Sequence, residues 1–176
     1  MKKYLPLIIL LTISILFYWI SARSYALHSS QLESMELFRL FRGISNTITL
    51  FVPLIMFVFY MLTTGLMFTL LDERFDIREM ARVIALSFIP VILNCMIYLI
   101  VLYDIQIGGT LQEMLYHSSF IGLSLADMEQ ISYIFWGGFY LFFVLLIWHE
   151  INVPMGKAVW IAFMPTLLVM TVRYLF

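Results

Sequence analysis

Five stretches of this chain run without a single charged side chain, and nearly all the charge lies in the gaps between them. The runs are Tyr4–Ala22, Gly43–Leu71, Val83–Tyr103, Gln130–Trp148 and Ala158–Val172. Roughly 18–20 apolar residues in a helix cross a ~30 Å hydrocarbon core, and the first four runs approach or exceed that length. The last has only 15 residues. Lys157 can snorkel outward at one end of it, and the tail Arg173–Phe176 extends the other. The expected fold is therefore all-α, a polytopic membrane protein in one domain over residues 1–176. It is a bundle of five transmembrane helices, spanning approximately 4–22, 46–71, 81–103, 130–149 and 155–175.

Composition agrees. Hydrophobic residues make up 63% of the chain and charged residues 12%, about half the share usual in soluble domains. A soluble fold of this length has no means of hiding so much apolar surface. The net charge of −1 gives no reason to expect nucleic-acid binding. The single cysteine, Cys95, excludes an intramolecular disulfide and any cysteine-based metal site, and no cofactor is expected.

Met1-Lys2-Lys3 before an apolar run also has the look of a signal peptide, and Ser21–Ser24 of its cleavage site. The run is longer than a usual signal core of about 7–15 residues, so we read it as the first span. With five spans the termini lie on opposite sides. Lys2 and Lys3 favour a cytoplasmic N-terminus, an external C-terminus and an inner (plasma) membrane location. Six basic residues (2, 3, 74, 78, 82, 157) then lie inside and four (23, 39, 42, 173) outside. The external segment Asp104–Glu129 contains no Lys or Arg at all. Arg23, Arg39 and Arg42 are the exception, facing Glu33 and Glu36 in the first external segment.

Within Gln31–Arg42, Leu32, Met35, Phe38 and Leu40/Phe41 recur at helical spacing, predicting a short amphipathic helix before the second span. It is read as lying on the outer surface or as the solvated start of that span; docking to another subunit is the sharper alternative. Pro53, Pro90 and Pro165 predict kinks in spans two, three and five. Asn94, four residues after Pro90, shares its helix face and should point at other helices. Gly137 and Gly138 form a small-residue patch in span four where a helix can approach closely. In the external segment, Thr110–Tyr116 has the pattern of a helical turn or two, and Asp127 resembles the N-cap of span four.

Catalytic signatures are missing. His28, His117 and His149 are far apart, no second histidine follows His149-Glu150 at the fourth position, and neither GxSxG nor a P-loop occurs. No carboxylate lies inside any of the five runs, so proton-coupled transport lacks its usual carrier. The chain is not expected to be an enzyme. The strip Asp72–Arg82 alternates acid and base and reads first as a solvated helix-capping turn. Its functional reading is a partner-binding cytoplasmic face made of Arg74, Arg78, Arg82, His149, Glu150 and Lys157.

Two segments carry a resemblance. FDIREMARVIALSFIPVILN holds Phe75, Arg82, Ser87, Pro90 and Leu93, an amphipathic approach to a span with proline near its middle. YIFWGGFYLFFVLLIWHEINVPMGKAVWIAFMP holds Trp136, Lys157, Ala158 and Pro165, a polar turn between two spans with a Lys-Ala pair and a late proline. In these features Phe75–Phe176 resembles the Yip1 family of small five-span membrane proteins; the first 70 residues match it in layout alone, and the loop between spans three and four departs from the family's short connector. The resemblance implies five spans, a cytoplasmic N-terminus and a partner-binding protein without settled biochemical activity. Eukaryotic members are linked to vesicle trafficking and small GTPases, but this chain lacks their long cytoplasmic N-terminal extension and looks like a bacterial-type member. Some bacterial members look like accessory subunits encoded beside efflux ABC transporters.

The functional expectation is thus a non-catalytic accessory or assembly subunit that binds the lipid bilayer and another integral membrane complex, an ABC-type exporter. The alternative is a small homo-oligomeric transporter or channel, in which Asn94, the proline kinks and Thr47, Thr49, Thr63 and Thr64 line a polar path. A lipid-acting enzyme has only His149, Glu150 and Lys157 near the headgroups to offer.

Overall fold

The computed structural model of the chain describes residues 4–28, 36–105, 115–119 and 121–175. Its helices are α1 (Leu5–His28), α2 (Glu36–Leu70), α3 (Ile77–Ser87), α4 (Ile89–Asp104), α5 (Leu125–Glu150) and α6 (Met155–Leu175). α3 and α4 are two halves of one pass, so the architecture is all-α with five passes long and apolar enough to cross a membrane. Large apolar side chains such as Leu62, Leu70, Ile134 and Trp160 have no protein cover over more than 60% of their surface. Water tolerates no such continuous apolar exterior, whereas lipid covers it without penalty. The chain is a multi-pass membrane protein.

Glu36–Arg42 is continuous with α2, forming its first two turns, while Gln31–Met35 lies outside the described residues, as does most of Thr110–Tyr116. α2 passes through Pro53 and α6 through Pro165 without a break. Only the third pass is interrupted. There Pro90 has no N–H to offer the Leu86 carbonyl, and Phe88 closes a tighter turn by donating to Ala85 O at 3.1 Å. Ser87 Oγ donates to Val83 O at 2.8 Å, a back-bond that also favours bending. This pass is nevertheless the most buried, with 44% of its apolar window covered against 17–28% for the others.

The chain forms two compact units. One contains the residues up to Leu10, Leu54–Ile89 and those from Gly137 on; the other contains Leu11–Pro53 and Pro90–Trp136. The first is built around aromatic rings. Phe139, fully buried, lies 5.0 Å from Phe88, 5.2 Å from Tyr60 and 5.8 Å from Phe143 between ring centroids. Tyr140 stacks on Phe163 at 4.9 Å, and its hydroxyl bonds both Tyr60 Oη and Thr166 Oγ1. α2 ends in this unit with a paired-carbonyl turn. Asp72, at φ 55°, occupies the left-handed position, Glu73 N donates to Phe68 O at 2.9 Å and Asp72 N to Thr69 O at 3.3 Å. Asp76 then caps α3, its carboxylate accepting from Arg78 N at 2.7 Å and Glu79 N at 3.2 Å.

Phe75 folds back beneath α2, where a Cβ added to Gly65 meets its ring at 3.3 Å. Gly65→Leu is therefore expected to unseat Phe75 and cost about 1–3 kcal/mol, read as a lower unfolding temperature, while Gly65→Ala changes it little.

In the second unit Leu27, Leu102 and Ile105 form a buried cluster with Ile20, Tyr98 and Leu125 packed against it. Polar bonds join α1 to α2: Ser21 Oγ donates to Asn46 Oδ1 and Tyr25 Oη to Ser45 Oγ, both at 2.7 Å. Arg23 does not face solvent as a loop charge. Its guanidinium donates to Leu102 O at 3.2 Å and Ile105 O at 2.9 Å and lies 5.0 Å from the centre of the Tyr103 ring, closing the carbonyl end of α4. The start of α5 corrects one expectation. Ser124, not Asp127, is the N-cap; Asp127 sits three residues later and reaches back to accept from Ser124 N at 2.9 Å and Ser124 Oγ at 2.6 Å. This is a capping box with aspartate in the place of glutamate, and the preceding hydroxyl rather than the acid occupies the cap.

Candidate functional site

The six residues expected on one cytoplasmic face all lie in the first unit, and the structure divides them. Arg82, on the second turn of α3, forms an ion pair with Glu150 at the end of α5. Lys157, at the start of α6, donates to Glu73 Oε1 at 2.5 Å and to Leu71 O at 3.2 Å, so it also completes the carbonyl end of α2. These two pairs join residues 68 and 84 positions apart and act as struts between helix ends. Arg74, Arg78 and His149 remain exposed, and among the described residues none of the three has an ion pair. Arg74 lies in the turn between α2 and α3, and Arg78 in the first turn of α3.

The intramembrane residues also separate. Pro90 is buried at the start of α4. Gly137 is exposed, and a Cβ placed on it meets nothing within 4 Å among the described residues. Gly138 is half-buried on the same helix. Thr47, Thr63 and Thr64 return their hydroxyls to carbonyls of their own helix, at Gly43, Phe59 and Tyr60.

Asn94 is different. It is buried, and its Nδ2 donates to Ser132 Oγ of α5 at 3.1 Å. Beside it lies a partly open cavity of about 360 Å³, lined by Phe17, Ile20 and Ser21 of α1, Thr49 of α2, Asn94, Cys95 and Tyr98 of α4, and Ser132 of α5. All eight residues belong to the second unit. No protein family model, curated protein or solved structure matches this chain.

Sequence reasoning found Asn94 and Thr49 but not Ser21, Asn46 or Ser132. Their signal was present: each is a polar side chain inside an uncharged span, where an unpaired hydrogen-bonding group is costly and so finds a partner. What the sequence does not carry is which of them meet. Among the described residues no three His, Cys, Asp or Glu side chains come together in a metal-binding group.

Proposed function

We propose that this protein is a non-catalytic accessory or assembly subunit of another integral membrane complex, an ABC-type exporter, in the manner of bacterial members of the Yip1 family. The supporting observation is the asymmetry of the charged face. Arg82 and Lys157 are held by Glu150 and Glu73, so the helix ends are fixed. Arg74 and Arg78 stand free on that fixed platform, two guanidinium groups suited to bidentate bonds with a partner's carboxylates. In this reading the face is cytoplasmic, the N-terminus lies on the same side, and the protein resides in the inner membrane.

The test is co-purification from native membranes in mild detergent, with stoichiometric chains identified by mass spectrometry. The double variant Arg74→Glu/Arg78→Glu is expected to lose the partner at least tenfold, about 1.4 kcal/mol or more, with its unfolding temperature unchanged. Arg82→Glu behaves differently: it breaks an internal pair and lowers stability by roughly 0.5–1 kcal/mol, and Arg82→Glu/Glu150→Arg restores it. Partner retention by the Arg74/Arg78 double variant sinks the docking-face assignment. A wild-type chain that purifies alone, with a discrete homo-oligomeric mass, favours the small transporter or channel instead.

A further inference from the structure

The cavity beside Asn94 has a chemistry of its own. At about 360 Å³ it falls at the lower end of small-molecule sites. None of the eight described residues that line it carries a formal charge. The nearest guanidinium along α1, that of Arg23, is already bonded to the carbonyls of Leu102 and Ile105. An ionised ligand here finds no counter-charge among the described lining residues, and burial without one costs several kcal/mol.

Neutral hydrogen-bonding capacity is nonetheless left over. Ser21 and Thr49 have committed their protons to Asn46 Oδ1 and Ser45 O. Asn94 has two amide protons and one carbonyl oxygen, and Ser132 satisfies only part of that set. The Tyr98 hydroxyl makes no hydrogen bond among the described residues. Phe17 and Ile20 supply an apolar wall next to these groups. We propose that the cavity binds the uncharged, hydroxyl-bearing head of a single-chain neutral amphiphile, bonded to Asn94 and Tyr98, with the start of its chain along Phe17 and Ile20.

The test uses the full chain in phosphatidylcholine nanodiscs and a monooleoylglycerol analogue carrying a diazirine near the head of its acyl chain. On irradiation the label is expected in peptides containing Phe17–Ser21 and Asn94–Tyr98, and excess unlabelled monooleoylglycerol should remove it. Asn94→Leu should reduce labelling about tenfold, as for loss of a hydrogen bond to a buried amide. Because Asn94→Leu also breaks the bond to Ser132, Thr49→Leu serves as a second variant. It fills the cavity without touching the Asn94–Ser132 pair and should block labelling while the size-exclusion profile stays that of the wild type. Label scattered over lipid-facing residues such as Leu7 and Leu62, or unchanged in Thr49→Leu, overturns the proposal. So does equal competition by oleate at pH 9, where the head is charged.

Discussion

Truncating Phe139 to alanine is expected to cost about 2–3 kcal/mol and to leave little monodisperse protein after extraction. Lipid is as apolar as the bundle interior, so the transfer part of the usual loss is absent and packing is what remains. Removing roughly 100 Å³ of ring at about 24 cal/mol per Å³ of residual cavity gives the figure quoted, provided the site does not collapse. Collapse is resisted because Phe139 is touched by rings from three directions, those of Tyr60, Phe88 and Phe143. Phe142→Ala is the control: same helix, same change, but a side chain left 42% uncovered by protein. Thermal unfolding followed by size exclusion should separate the two variants clearly. Equal stability for both sinks the aromatic-core account.

Arg23→Leu is expected to cost about 2–4 kcal/mol. It removes two charge-assisted bonds to the carbonyls of Leu102 and Ile105 and the contact with Tyr103, leaving the end of α4 uncapped. Arg23→Lys keeps the charge but not the fork that reaches both carbonyls, so it should recover only part of the loss. Faster hydrogen exchange over the last turn of α4 is the local signature. Unaltered exchange there, with unaltered stability, shows that the guanidinium contributes nothing. A leucine also enters the hydrocarbon more easily than an arginine, so insertion itself should not suffer.

Much of the fold could be read from one chain. Charge-free runs mark the five passes because an unpaired charge in hydrocarbon is prohibitive. The prolines were less selective: kinks were expected at Pro53, Pro90 and Pro165 alike, and only the helix before Pro90 breaks, while Pro53 and Pro165 lie within continuous helices. The ends were less legible. α1 continues past Arg23 to His28, and α2 begins at Glu36, well before the uncharged run. In both places a charged residue sits inside a helix; for Arg23 the reason is a partner far away in sequence. The site was legible by residue type but not by pairing. Arg74 and Arg82 look alike in the strip Asp72–Arg82, and only the position of Glu150 separates a free guanidinium from a bound one. Asn94 announced itself as a polar group in a span, whereas Ser21 and Ser132 are common in membrane helices and acquire meaning only when α1, α4 and α5 converge on it.

The bond from Arg23 to Leu102 also sets an order of events. The two residues are 79 positions apart, and at roughly 5–20 residues per second the ribosome needs about 4–16 s to make the second after the first. Through that interval the guanidinium has neither of its carbonyl partners, and an unpartnered guanidinium draws the turn that carries it toward water. The depth of the first helix is therefore provisional until the third pass arrives. A nascent chain stopped before α4 should hold α1 at a different height from the finished protein, so the last adjustment to the first helix is made by one of the later ones.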